Sequence, residues 1–572
     1  MDIIPFKGQV YEELLSQYDE NNLFEDPYFS ASDRSLYFSR RAPAGIVWKR
    51  PNQVKRNAQF VVDGFDRCDM DQGSIGNCWF IAGVVGIMQS PKLFAKVVPS
   101  DQSFTDNYAG IFHFRFWQYG QWVDVVVDDR LPFWTNGQLV YANNKDQPNE
   151  YWTALLEKAY AKLNGCYEAL EAGQTTDALI DMSGGLEESF DLTKLESQSQ
   201  LWTILYQAYM RNSIMGCSIT ADASVREAKL SNGLVRGHAY TITKVATVEC
   251  NGRCVQLLRI RNPWGNDVEW KGAWSDNSRE WNMIDSETRE ELGIVKDHDG
   301  EFWMSYKDFL TNWHQVQICH LSVDCFSGEI EKANDIGCMS WRKLAMDCEL
   351  SWKCSIYHSE WTVGKTAGGC GQPNQAKFWT NPQFLIKVND VDRDDSEDMA
   401  TVVIALMQKD SRIKRIKTKS ESAEEFIQFK FYRIKDDVAI DDSKTTGLKL
   451  YSNQLDRIGS SGSYINSREV TKRFRVQPGY YLIIPSTYDA DVNCEFLLRI
   501  FTEEDIEANS LDQDKHDLTE EESFFELDDT DTLFSSWDNF FKAAGGNSEE
   551  TEDATEESTN NRQSVQEACN LM

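Results

Sequence analysis

The run Trp79-Phe80-Ile81-Ala82-Gly83-Val84-Val85 has no polar face. A helix that is apolar all round has to be covered on every side, so this segment belongs in a core. It follows Gln72-Gly73-Ser74-Ile75-Gly76-Asn77-Cys78, where two glycines permit a tight loop that other residues would strain. The spacing predicts a loop that sets Cys78 in the first turn of a buried helix. A helix N-terminus favours the thiolate, the reactive form of cysteine. Taken alone, the pattern fits a reactive thiol and a buried structural cysteine about equally well, because free cysteine is among the most buried residue types.

Other residues in the chain separate these readings. At 572 residues there is room for roughly three to four domains. The start Met1-Asp2-Ile3-Ile4-Pro5 lacks the basic and apolar regions of a secretory signal, and no apolar run approaches the roughly 18 residues of a membrane span. The expectation is an intracellular, cytoplasmic chain. Fourteen cysteines at irregular spacing, with no Cys-x-x-Cys pair, read as reduced thiols and not as a disulfide framework or a zinc site. A net charge of −33 argues against nucleic acid as a partner. Residues 501–572 carry 22 acidic and 3 basic residues, a net of −19, so the rest of the chain holds −14.

The organisation follows from changes in pattern. Residues 1–44 read as an N-terminal extension with a short helix around Val10 to Tyr18. Residues 45–175 are mainly helical around Cys78 and Tyr151-Trp152 to Tyr160, with a strand pair at Ile111–Phe116 and Trp122–Val127 joined through Tyr119-Gly120. Residues 176–322 turn sheet-rich, with strands at Ala239–Thr243 and Val255–Ile260. In residues 323–500 short alternating strands (Phe384–Val388, Thr401–Leu406, Phe426–Phe429, Tyr480–Ile484, Phe496–Ile500) suggest an antiparallel sandwich. Residues 501–572 form an acidic, largely disordered tail, with Phe534, Trp537, Phe540 and Phe541 on one face of a docking helix.

A thiol nucleophile needs a base, and the base needs a group that fixes its tautomer. Of seven histidines, His238 alone lies in a glycine-bounded loop running into an apolar strand, Gly233 to Tyr240. Arg261-Asn262-Pro263-Trp264-Gly265 then ends a strand with an amide that can accept from an imidazole. Cys78, His238 160 residues on and Asn262 24 residues later follow the chain order of papain-like thiol proteases. Gln72, six residues before Cys78, is placed to donate to an oxyanion beside the Cys78 amide.

On these residues the chain resembles the calpains, intracellular calcium-activated cysteine proteases. The likeness covers about residues 20–500, in the blocks Gln72–Trp79, Glu150–Lys158, Gly237–Tyr240, Arg261–Gly265, Gly300–Ser305 and Thr366–Cys370. It departs from the papain signature in having Gly76-Asn77 before the nucleophile, a position at which calpains vary. The resemblance implies an α+β fold, with a papain-like two-part core (45–175 and 176–322), a C2-like β-sandwich (323–500) and the acidic tail. It implies a Cys78–His238–Asn262 triad, Gln72 as oxyanion donor and Trp264 as a wedge in the cleft. The activity implied is limited cleavage of protein substrates, with cytoskeletal and myofibrillar proteins as candidates. A transglutaminase is disfavoured, because Asn262 stands where that family needs an aspartate; a catalytically silent scaffold is the alternative from another class.

Two Ca2+ sites outside any EF-hand are also implied. One takes the carbonyls of Val62 and Gly64 with the side chains of Asp69 and Glu150; the other takes Glu269, Asp276, Asp297, Asp299 and Glu301. No EF-hand loop is expected, since loops begun at Asp390 or Asp512 have Asp395 or Asp517 at the glycine position and Thr401 or Ser523 at the final one. The chain thus resembles an atypical calpain without the five-EF-hand domain, as in some arthropods, and an EF-hand small subunit is not an expected partner. The basic run Arg412–Lys419 is read as a solvated strand or a partner of the acidic loop Asp390–Asp398, with weak phospholipid contact through the sandwich as the lesser reading. Cys569-Asn570-Leu571-Met572 formally matches a prenylation signal, but its asparagine and acidic approach argue against it.

Overall fold

In the computed structural model the described residues are 3–65, 69–195, 197–221, 228–250, 252–262, 268–294, 300–321, 353–389, 399–418, 424–441, 447–502, 508–511 and 518–521. The first half is helical around one short sheet. Strands Ile111–Gln118 and Gln121–Asp128 form the expected hairpin, with left-handed Tyr119 and Gly120 (φ 51° and 97°) in a two-residue turn that matches the strand twist. Ile4–Pro5 adds to this sheet in parallel, against Val123–Asp124. The N-terminal segment is therefore built into the first half. Lys162, buried on the helix Trp152–Asn164, donates to Asp26 at 2.7 Å, to the Val126 carbonyl at 2.5 Å and to Gln9.

The second half is a six-stranded antiparallel sheet. Its order is Glu301–Ser305, Arg253–Arg261, Ala239–Cys250, Ile214–Ser218, Gln315–His320 and Leu186–Asp191. The helix Cys78–Ile87 lies between the halves and buries every residue after its first. Its glycines let it approach closely: a Cβ at Gly83 would stand 2.7 Å from the Cβ of Ala178, on the helix Thr175–Ser183. On its other side the Thr241 hydroxyl donates to the Ala82 carbonyl at 3.5 Å, which ties it to the second sheet.

The remainder is a β-sandwich, with all five expected strands present. One sheet runs Glu469–Val476, Ala400–Gln408, Cys494–Thr502, Lys353–Trp361, Leu518–Glu521; the other runs Leu455–Ser460, Phe426–Ile434, Gly479–Thr487, Phe384–Val388, Ala508–Ser510. The strands thus continue past residue 500 into the acidic segment. The docking helix proposed around Phe534, both EF-hand candidates and the C-terminal Cys569 lie wholly or largely outside the described residues.

The basic run differs from expectation. Ser411–Thr418 is an α-helix, with Ile413 and Ile416 at helical spacing, and it docks on the first half. Arg412 donates to the carbonyls of Ala169 (2.9 Å) and Ala172 (3.0 Å) and to Asp177 (3.1 Å). Its guanidinium lies 4.2 Å from the ring centroid of Trp79. Two more buried arginines of the sandwich reach across, Arg468 to Asp181 at 2.5 Å and Arg499 to the Gly184 carbonyl at 2.8 Å, and Arg499 also pairs with Glu469 of its own sheet at 2.6 Å. Eight described cysteines are free, as expected, but Cys254 is disulfide-bonded.

Charge burial also fixes the first half. Lys158, with no exposed side-chain surface, donates to Asp128 Oδ1 at 2.6 Å and to the carbonyls of Asp128 and Arg130, each at 2.7 Å. Burial alone would raise the Asp128 pKa, but Lys158 and Arg130 outweigh it and hold the carboxyl down at about 2. A depressed carboxyl contributes stability above its ordinary value of 3.8 and loses it as pH falls through the folded value. The contribution is on the order of 2 kcal/mol. Asp128→Asn is expected to destabilise the first half by about 3–5 kcal/mol at pH 7, by leaving a buried lysine uncompensated. In urea unfolding the gap to wild type should narrow between about pH 4 and pH 2; a gap independent of pH would contradict this reading.

Candidate active site and calcium ligands

The loop before Cys78 is laced to the segment 140–144. Ser74 N–H donates to the Val140 carbonyl at 2.9 Å, and Asp71 and Asn143 exchange backbone hydrogen bonds at 2.8 and 3.2 Å. Gly73 packs so close that a Cβ would stand 2.3 Å from the Tyr141 carbonyl oxygen, so no other residue fits without backbone movement. Gln72 turns its amide into the loop and donates to the Ile75 carbonyl at 2.8 Å. Asn77 caps the helix by position only; its side chain is fully buried and donates to Glu157 Oε1 at 2.6 Å. Cys78 follows, half-buried and free. Trp79 turns its indole N–H to the Leu170 carbonyl at 2.9 Å.

The second half brings His238 and Asn262 together through register. The strand Ala239–Cys250 starts one residue after His238, and Arg253–Arg261 ends one residue before Asn262. They are antiparallel with Thr241 opposite Arg261, so both residues emerge at the same end of the hairpin. His238 Nε2 lies 2.9 Å from Asn262 Oδ1, and both residues are buried. The amide orientation is set from behind, since Asn262 Nδ2 donates to the Val268 carbonyl at 3.0 Å and leaves Oδ1 as the acceptor. The Asn262 backbone N–H donates to the Gly300 carbonyl at 2.8 Å. Nε2 therefore carries the proton of a neutral His238 ring. Thr241, three residues beyond His238, meets the helix at Ala82, one turn below Cys78, so the histidine strand docks on the cysteine helix. Trp264 lies outside the described residues.

Of the residues read as calcium ligands, Asp69 and Glu150 are brought together. Asn144 Nδ2 donates to both, at 3.1 Å to Asp69 Oδ1 and 2.6 Å to Glu150 Oε2. Trp152 Nε1 donates to the other Asp69 oxygen at 3.3 Å, and the Val62 N–H to Glu150 Oε1 at 2.6 Å. Val62 and Gly64 flank a tight turn with Asp63 and Gly64 at φ 55° and 98°. Two buried carboxylates beside a carbonyl-bearing turn have the hard-oxygen chemistry that calcium takes.

In the second set, Glu269 accepts from the Gly300 N–H at 3.0 Å. Glu301 accepts from Thr243 at 2.9 Å and sits 3.4 Å from Arg259. Asp297 and Asp299 lie outside the described residues. Among the described residues no three His, Cys, Asp or Glu side chains gather as metal ligands, so Glu269, Asp276 and Glu301 do not form such a cluster on their own. Asn144 and Glu157 were not singled out from the sequence, and Asn77 stood out only as a departure from the papain signature. The available signal was an acidic residue set in an apolar stretch, Leu155-Leu156-Glu157.

Residues 24–320 match the family described as calpain family cysteine protease, and residues 357–501 match calpain large subunit, domain III. The chain is 45% identical to Calpain-A of Drosophila melanogaster over 514 residues, 89% of this chain and 59% of that protein. It is 43% identical to Calpain clp-1 of Caenorhabditis elegans over 494 residues, 86% of this chain and 60% of that one. With the human Calpain-2 catalytic subunit it shares 39% identity over 544 residues, 93% and 73% of the two chains. The chain thus spans about three fifths of the length of the fly and nematode relatives.

Asn262→Ala removes a partner from His238 Nε2 and another from the Val268 carbonyl, both in the protein interior. It is expected to lower stability by about 1–3 kcal/mol. Urea denaturation measures this, and a variant as stable as wild type would contradict the arrangement.

Proposed function

The chain belongs to the calpain family of cysteine proteases, and from that premise we propose that it is a calcium-regulated cysteine endopeptidase making limited cuts in protein substrates. The observation that carries the reading is the His238–Asn262 hydrogen bond at the hairpin end that docks on the helix of Cys78. With Nε2 engaged by Asn262, Nδ1 is the ring nitrogen left to take the thiol proton. The Cys78 thiolate attacks the scissile carbonyl, and the imidazolium returns its proton to the leaving amine. Water, activated by the same imidazole, then releases the acyl group from Cys78. Gln72 leaves its hydrogen bond to Ile75 to join the Cys78 N–H in holding the oxyanion, and such a donor contributes on the order of 3 kcal/mol. Trp264 is the proposed wedge of the cleft.

Calpains are calcium-dependent in general, and the pair Asp69 and Glu150 supports a first site with the carbonyls of Val62 and Gly64. Glu269, Asp276, Asp297, Asp299 and Glu301 are the proposed second set. Bound calcium supplies positive charge that offsets the repulsion of such gathered carboxylates. The residues' own part is positional: Asp69 sits two residues before Asp71, which pairs with Asn143 next to Asn144, so the acidic pair and the cysteine loop share one support. Among the described residues no helix is long and apolar enough to cross a membrane, and a cytoplasmic setting is part of the proposal.

Calcium titration of casein cleavage tests both parts. Cys78→Ser is expected to abolish cleavage at every calcium concentration, and Asp69→Ala to raise the calcium needed for half-maximal rate by roughly tenfold, because the charge count of the ligands sets calcium affinity. Undiminished cleavage by Cys78→Ser would end the protease reading; equal rates in chelator and in calcium would end the calcium reading.

A further inference from the structure

We propose that Glu157 is a positioning residue for the nucleophile, its buried carboxylate clasping the Asn77 side chain and the Ala142 amide together so that the Cys78 loop keeps one register against the segment 140–144. The inference rests on the protease reading of Cys78 and deepens it.

Glu157 has no exposed surface. One oxygen accepts from Asn77 Nδ2 at 2.6 Å, the other from the Ala142 backbone N–H at 2.9 Å. Asn77 immediately precedes Cys78, and Ala142 lies in the strip that holds Ser74 and Asp71. The carboxylate is therefore a rivet through two layers, the cysteine loop and its support, from the helix beneath them. The Asn77 side-chain oxygen Oδ1 is buried and has no hydrogen-bond partner among the described residues, so the bond from Nδ2 to Glu157 is what orients that side chain.

The carboxylate has no basic partner among the described residues. The titratable groups facing it are Tyr141 and Tyr167, whose rings stack at 4.2 Å. Burial pushes the Glu157 pKa up to about 7, offset only in part by the Ala142 N–H and the Asn77 amide. An acid with a raised folded pKa destabilises the fold above that pKa and ceases to do so as pH falls toward its ordinary value of 4.5. Above neutral pH the buried charge is unfavourable for folding, and the two hydrogen bonds it accepts offset that only in part. An ionised carboxylate is a strong acceptor for both donors at once, whereas a protonated acid keeps only a weak acceptor on its hydroxyl oxygen and an amide turns its own N–H toward one of them.

Glu157→Gln keeps the shape and loses one acceptor. Expected are a fall in kcat of about tenfold or more with KM changed less than threefold, and loss of an activity-limiting ionisation near pH 7 that wild type shows. A second readout needs no protease activity: iodoacetamide alkylation mapped by peptide, with Cys370 and Cys494, both free and half-buried, as internal references. Alkylation of Cys78 alone should slow about tenfold. Asn77→Ala cuts the same link from the loop side, and adding Glu157→Gln to it should cause little further loss. Wild-type kcat, pH profile and Cys78 alkylation in Glu157→Gln would overturn the proposal. So would equal changes at all three thiols, which mark general loosening of the fold. A wild type that cleaves nothing, yet whose Cys78 alkylation depends on Glu157, would sink the protease reading and support the positioning role.

Discussion

A helix with no polar face must be covered on all sides, and the rest of the structure is arranged around that requirement for Cys78–Ile87. One side is closed by the helix Thr175–Ser183, pressed against Gly83; another is closed by the strand that begins after His238. Neither half of the protease unit could bury this helix alone. Covering it docks the strand that follows His238 on the helix that begins at Cys78, where Thr241 meets Ala82. The hydrophobic demand of one segment thus accounts for the meeting of groups distant in sequence.

The sandwich adds a third cover, and it does so with charge. Arg412, Arg468 and Arg499 enter the interface almost fully buried, and each finds carbonyls or carboxylates between residues 169 and 184 or on its own sheet. Desolvating an arginine is unfavourable unless its donors are met, so these contacts fix one docking geometry more than they add net stability. Arg412 also lies over Trp79, the residue after Cys78. The sandwich thus touches the residue next to Cys78.

Much of this was legible in the chain because period and order carry it. The strand pair Ile111–Phe116 and Trp122–Val127 and the strands Ala239–Thr243 and Val255–Ile260 are readable from the chain, and of Cys78, His238 and Asn262, readable by their order, the structure joins the last two directly. The run at Arg412 was misread because a basic octapeptide looks solvated, and sequence does not show that its partners lie more than two hundred residues away, at Ala169, Ala172 and Asp177. Glu157 escaped notice for the same reason: its two donors belong to different segments that only the folded chain stacks together. The pairing of Asp69 with Glu150 was implied by the resemblance, and the fold brings the two together through Asn144, whereas Asp297 and Asp299 of the second set lie outside the described residues.

The central claim is that Cys78 is an activated nucleophile whose base is His238. Labelling with a peptidyl epoxide that reacts with protease thiols, followed by peptide mapping in calcium, tests this most directly. The account expects one label per chain, on Cys78, and a loss of that label in His238→Ala while the other free thiols stay unmodified. Label on Cys78 at an undiminished rate in His238→Ala, or spread over several cysteines in the wild type, would contradict it.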